Sequence, residues 1–308
     1  MTKQGLYKIL KLAKDMFNNF HIVKLLILLI AFLFSGCSMK DTSIKPFTVE
    51  SLKKTYTQID RIEKVAYPIL VSNKQICSKQ YNNYGLTAAT LNANATVKSQ
   101  KIWKEVFNIK NRPTVIRITP NSVAYTTGLK IGDEFISVNK VAIPSEISQH
   151  YKVYDSLKAP SINITVLRNT KQLSFYMIAE KTCDVKILLS QHEGTNAFAK
   201  ENKIVIEAEL EKLLENDDEL ALVIAHELAH IILGHTSEER QNELDIKQMR
   251  AMMEKDADAL GMHLFLNAGY NPEVALKALE KMDYNKRGPI SRFLGLYGPY
   301  MPTEKRIQ

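Results

Sequence analysis

Between Ile224 and His235 the chain reads IAHELAHIILGH, an apolar run broken by two histidines four residues apart and a glutamate directly after the first. The residues just before it, NDDELALV, place Asn216 as an N-cap candidate and three acidic side chains ahead of Leu220, Leu222 and Val223. That is how a helix begins. Being apolar nearly all round, the helix is expected to be buried. An imidazole or carboxylate buried without a partner costs on the order of a few kcal/mol. Any fold for this chain must therefore bring a second element against this helix to satisfy His226, Glu227 and His230.

Residues four apart on a helix share a face, so His226 and His230 can present two imidazoles to one ion. Glu227 lies about 100° round the helix, placed to touch a water on that ion instead of the ion itself. His-Glu-x-x-His on a helix is the pattern with which Zn²⁺ and a glutamate base hydrolyse peptide bonds. A catalytic zinc needs a third protein ligand and one open position. The downstream segment MEKDADALGM offers Glu254 and Asp258, again four apart. Glu254 would complete the metal site. Asp258 would accept a hydrogen bond from the distal nitrogen of a ligand histidine and fix its tautomer. Asp256 points elsewhere on helical geometry. The bland alternative for this segment is a solvated acidic face. His235, half a turn off the His226 face, is a poorer ligand candidate, and His263 is a further one.

Upstream, PTVIRITPNSVAYTTGLKIGDEFISVNKVAI (residues 113–143) carries three devices in order. TVIRIT alternates as a strand. PNS opens a short helix that ends at Gly128, where a helix C-terminus favours a residue with positive φ. IGD then turns into a second strand, EFISVN. A helix-like segment, SEISQHYKVYDSL, and two alternating strands, INITVLR and QLSFYMIA, follow, the last pair joined at Asn169-Thr170. This order resembles a PDZ domain, with Gly128-Leu129 and Gly132-Asp133 where its core phrase expects them. The resemblance implies a module that binds an extended peptide or a C-terminus by strand addition, with Gly85-Leu86 as the candidate carboxylate-binding loop. Ahead of it, residues 47–70 have helical apolar spacing. The polar stretch from there to about residue 100 is uninformative apart from Gly85.

The chain has 308 residues and a net charge of +8. About half of that excess comes from Lys3, Lys8, Lys11, Lys14 and Lys24, offset by Asp15. The remainder is scattered, with no basic stripe and no interleaved aromatics, so no nucleic-acid partner is expected. Those early lysines precede LLILLIAFLF (residues 25–34) and then Ser35-Gly36-Cys37. The apolar run suits the core of a signal peptide and is too short to span a bilayer. Small residues before Cys37 resemble the lipobox of bacterial lipoproteins, which implies lipidation of Cys37 and a membrane reached through that lipid anchor. A short uncleaved anchor is the alternative, and Met16 is a second candidate start. Ser38 after the cysteine favours the outer membrane, facing the periplasm. Cys77 and Cys183 remain, expected as a disulfide that pins the ends of the PDZ-like module, with two free buried thiols as the alternative.

Taken together, NAFA at 196–199, KIVI at 203–206, DDELALVIAHELAHIILGH at 217–235, EKDADALGM at 254–262 and AGYNP at 268–272 resemble the HtpX- and BepA-like zinc metallopeptidases. These are gluzincins with a Glu-x-x-x-Asp third-ligand motif. The resemblance implies one zinc held by His226, His230 and Glu254, with Glu227 as general base. It also implies that Asn196, Ala197, Phe198 and Ala199 form the edge strand that pairs with substrate. Members act on misfolded or misassembled membrane and envelope proteins. Tyr297, Tyr300 and Arg306 are candidates for stabilising the transition-state oxyanion; where many members read His-Pro before Arg, this chain has Met301-Pro302.

The fold class expected is α+β. A signal peptide at 1–36 precedes a tether and N-terminal helix at 37–84, a β-rich PDZ module at 85–182 and a mainly helical zincin-type domain with a small edge sheet at 183–308. The function expected is a membrane-anchored zinc metalloendopeptidase acting on envelope proteins or peptides. The alternative is a PDZ-containing chaperone or adaptor with latent or vestigial protease activity. Oligomeric state is not readable from the chain.

Overall fold

The helix α1 (Val49–Ser72) opens the computed structural model, which describes residues 47–91, 95–145, 155–192, 194–236 and 247–274. A reciprocal cap starts it: Thr48 Oγ1 accepts from the Ser51 N–H at 3.1 Å, and Ser51 Oγ accepts from the Thr48 N–H at 2.8 Å, satisfying two donors that a helix end otherwise leaves bare. Next come β1 (Gln80–Asn83), β2 (Leu86–Ala89), α2 (Val97–Phe107), β3 (Thr114–Ile118), α3 (Val123–Thr127), β4 (Glu134–Val138) and the short β5 (Val141–Ala142). The strands β6 (Ser161–Arg168), β7 (Lys171–Ile178), β8 (Glu180–Cys183) and β9 (Lys186–Ser190) follow. The last part holds β10 (Ala197–Lys200), β11 (Lys203–Glu207), α4 (Ala208–Leu213), α5 (Asp217–Ile232) and α6 (Lys247–Asn267). All described residues fall in one compact unit, and among them no helix is long and apolar enough to cross a membrane. Cys37 and the expected signal lie outside the described residues. So do most of the helix-like segment after Ser145 and the candidates Tyr297, Tyr300 and Arg306.

Two cores organise the unit. The first is the sheet β2-β3-β4-β6-β7, antiparallel throughout, with β5 on β4. Its interior is built from Val115, Phe135, Ile162, Ile164, Val166 and Met177. Alternation along β6 buries Ile162, Ile164 and Val166 and turns Asn163 and Thr165 outward, the period-2 pattern its sequence carries. Gly128 ends α3 at φ 87°, and Gly132 turns at φ 90°. Asp133, fully buried, accepts from the Lys130 N–H at 2.8 Å and pairs with Arg168 at 2.6 Å, which ties the Gly-Asp turn to β6.

The second core joins α1 to the later helices. Ile62, Val65, Ala66, Ile69 and Leu70 pack with Leu220, Ile224, Leu228, Ala257, Leu264 and Phe265. Arg61 of α1 explains how α5 is held. Its guanidinium donates to the carbonyls of Glu211, Leu214 and Asn216 at 2.6–2.8 Å and pairs with Glu211 and Asp217. One side chain thus takes up carbonyls at the end of α4 while a charge partner sits at the start of α5. At the other end of α1, Asn73 Nδ2 donates to Leu264 O at 3.0 Å, and the Tyr270 hydroxyl donates to Val65 O at 2.8 Å. Helix α6 is therefore fixed to α1 as well as to α5.

Between the cores, β1 pairs antiparallel with β8 from Gln80↔Cys183 to Asn83↔Glu180. Cys77 and Cys183 are disulfide-bonded with Cα atoms 5.5 Å apart. The chain leaves for the first core and returns through one ladder and one covalent bridge. The polar stretch before residue 100 is more structured than its composition suggests. It holds β2 and runs into α2, whose Trp103 and Phe107 meet Tyr56 of α1 edge-on, with ring centroids 5.7 and 4.6 Å apart.

Candidate metal centre and catalytic groups

Helix α5 starts where Asn216 Oδ1 accepts from the Glu219 N–H at 2.8 Å, with Asp217, Asp218 and Glu219 in its first turn. Every residue from Glu219 to Ala229 is buried, His226 and Glu227 included. The two histidine rings stand 4.8 Å apart, and their Nε2 atoms lie 3.1 Å apart. Glu254 of α6 brings Oε2 to 3.4 Å from His226 Nε2 and Oε1 to 3.6 Å from His230 Nε2. Asp258, one turn on, places Oδ1 at 3.1 Å from His226 Nδ1. The structure therefore brings together His226, His230, Glu254 and Asp258. It leaves Asp256 and His263 on the exposed side of α6, and His235 outside the three-residue cluster able to hold an ion.

The donor set fits zinc on two counts. Tetrahedral ligands about 2.0–2.1 Å from an ion sit about 3.3 Å from one another; the nearest approaches between the three side chains are of that order, 3.1 Å between the imidazoles, 3.4 Å from His226 to Glu254 Oε2 and 3.6 Å from His230 to Glu254 Oε1. Two imidazoles and one carboxylate are also the nitrogen and oxygen donors of catalytic zinc sites.

The charges are strongly coupled without an ion. Burial works to lower the His226 pKa, but contacts with Asp258 and Glu254 outweigh it and hold it up at about 10. Burial opposes ionisation of Glu254, yet both imidazoles pull its carboxyl well below the usual carboxylate range. Glu227 behaves in the opposite sense: burial pushes its carboxyl above that range, against the pull of His226 and His230, and Glu254 pushes the same way.

The strand carrying the expected substrate edge touches this group. The Glu207 N–H donates to Asn196 O at 2.9 Å, and the Asn196 N–H donates to Glu207 Oε2 at 2.8 Å. Antiparallel alternation from that pair turns the N–H and C=O of Ala197 and Ala199 away from β11. Burial raises the Glu227 pKa, and the nearby Ala199 backbone amide works against that rise. Among the described residues, strand β10 has β11 as its one neighbour in the three-stranded order β10-β11-β9. Phe198 is exposed on the outer face of that sheet, while Ala197 is buried. The nearness of Ala199 to Glu227 is absent from the motif, because it brings the helix together with a strand about thirty residues earlier.

Gly261 is a second residue that motif reading misses. A Cβ built there would lie 2.9 Å from His226 Cα, a backbone atom that cannot swing aside. Its missing side chain lets α6 approach α5 closely enough for Asp258 and Glu254, on the same face one and two turns earlier, to reach His226. Gly→Ala in a helix interior ordinarily stabilises by up to about 1 kcal/mol. Gly261→Ala is expected to do the reverse, lowering stability by about 1–3 kcal/mol through overpacking and weakening metal binding. Urea unfolding and a chelator competition check both; a more stable variant with unchanged metal affinity would refute the packing role.

Residues 168–252 match the model of peptidase family M48. The matched stretch runs from the last hairpin of the first sheet through α5 and stops just short of Glu254, so the third donor rests on the geometry above. The M48-like segment also contains β9, β10 and β11. No curated protein matches the sequence. Among solved structures, the HtrA3 PDZ domain bound to a phage-derived ligand (FGRWV) is 18% identical, covering 34% of this chain and 89% of that chain at a TM-score of 0.26. The PDZ domain of EpsC from Vibrio cholerae, residues 204–305, is 14% identical, covering 31% and 78% at a TM-score of 0.22. In the first sheet, β2 is an edge strand. The Gly85 N–H, which a carboxylate-binding loop would offer, donates to Asn83 Oδ1 at 2.8 Å.

Proposed function

We propose that this chain is a zinc metalloendopeptidase of the cell envelope, lipid-anchored at Cys37, whose PDZ-like module engages protein or peptide substrates. The observation that carries the reading is the convergence of His226, His230 and Glu254, with Glu227 buried beside His226 on the same helix. Zn²⁺, when bound there, supplies a Lewis acid that acidifies a water and polarises the scissile carbonyl. Glu227 accepts the proton of the attacking water at its carboxylate and returns it to the leaving amide nitrogen. Helix α5 holds Glu227 buried beside the two imidazoles, which keeps its carboxylate near where the attacking water would sit. An extended substrate would pair with the outward N–H and C=O of Ala197, adding a strand to β10.

Metal analysis of the full chain tests this reading. About one zinc per chain is expected, and Glu254→Ala should weaken binding by more than about 100-fold, beyond the 10- to 100-fold loss typical of a ligand's supporting partner. Metal and proton compete for His226, whose proton is held until about pH 10 in the metal-free site. Zinc affinity should therefore rise with pH between 6 and 9, by about tenfold per pH unit for each proton released. A chain that stays metal-free at pH 9, or that cleaves a casein-type substrate equally well without metal, would end the proposal.

A further inference from the structure

We propose that His235 is a positioning residue for His230, serving that ring as Asp258 serves His226. The inference rests on the zinc reading above and adds to it a residue outside the ligand set. His230 faces the centre through Nε2, the atom near both His226 and Glu254. Its other nitrogen, Nδ1, lies 3.0 Å from His235 Nδ1. A neutral imidazole that gives Nε2 to a metal carries its proton on Nδ1. The Nδ1–H of His230 then donates to His235 Nδ1, which accepts when the His235 proton is on Nε2. Such a bond fixes both tautomer and ring angle.

The backbone explains how His235 gets there. Gly234 takes φ 70° just past the end of α5, and the His235 N–H donates to His230 O at 2.9 Å. That reversal folds the chain over the last turn and lays the His235 ring against the His230 ring, with centroids 5.1 Å apart at 65°. His235 is only 7% exposed, so water does not compete for the contact. The two ligand rings are supported differently: His226 by a carboxylate, His230 by a neutral nitrogen.

The experiment uses the full chain with His235→Asn and His235→Phe. Asn offers a side-chain oxygen close to where Nδ1 lies; Phe keeps the ring and its burial and removes the acceptor. Zinc affinity by chelator competition should fall about 10- to 100-fold for Phe and only a few-fold for Asn. The visible spectrum of the cobalt-substituted protein should change for Phe alone. Thermal unfolding of the metal-free forms controls for packing. Wild-type zinc affinity in His235→Phe overturns the proposal, and so does an equal loss in both variants matched by equal destabilisation of the metal-free forms. If the parent chain binds zinc in a Glu254-dependent way while His235→Phe is unchanged, this inference fails alone. If the parent binds no zinc, the reading beneath it fails too.

Discussion

Glu227→Gln is expected to lower kcat for peptide cleavage by about 10²–10⁴, equivalent to about 3–5 kcal/mol of barrier, with zinc content unchanged. Glutamine matches glutamate in size and keeps a side-chain oxygen, so the packing around the position survives. What it loses is the ability to take a proton. Glu227 is 4% exposed, and burial holds its carboxyl above the ordinary range. The sign of the stability effect follows. A carboxyl whose folded pKa is raised penalises the folded state once pH passes the unfolded value, so the neutral glutamine should leave stability at pH 7 the same or higher. Steady-state kinetics, metal analysis and urea unfolding on one preparation separate the effects. Cleavage at the parent rate would leave Glu227 without a catalytic role, whereas a cleavage-dead Glu227→Gln that fully complements a deletion strain would favour an adaptor built around peptide binding.

Breaking the Cys77–Cys183 bridge is expected to cost about 4–5 kcal/mol of stability in the chain-entropy account. The half-cystines are 106 residues apart in sequence, and the long loop between them holds the whole first sheet. Cys183 is buried at 2% exposure within the core that contains α5, and β1–β8 pairing leads directly away from the bridge. Opening it frees both strands of that ladder where the sheet module joins the α1 core. Equilibrium urea unfolding of Cys77→Ser/Cys183→Ser against the parent measures the loss. A difference under about 1 kcal/mol would mean that the ladder and the α1 contacts already hold the loop closed in the unfolded ensemble.

The short helix ending at Gly128, the hairpin of β6 and β7, α1 with its apolar stripe and α5 with its Asn216 cap were all legible in the chain. Each is specified by local chemistry: a turn residue with positive φ, a period of two, a period near 3.6, a capping side chain. Strand β1, strand β9 and helix α2 were not. QYNN is polar and gains strand geometry only by pairing with β8. KILLS, on the edge of its sheet, is short and only partly alternating. The α2 segment hides its role in Trp103 and Phe107, whose partner Tyr56 lies far back in the chain.

The site divides along the same line. Sequence spacing alone determined that His226 and His230 share a face and that Glu227 stands off it, because a helix fixes angles between near neighbours whatever surrounds it. It also made Glu254 and Asp258 a pair. Only the tertiary structure decided that this pair reaches His226, since that depends on how closely two helices pack, which Gly261 sets through an absent side chain. The nearness of the Ala199 amide to Glu227 belongs to tertiary structure for the same reason: the two come from separate elements. Spacing placed His235 off the face shared by the two ligands; it took the turn at Gly234 to bring its ring against His230.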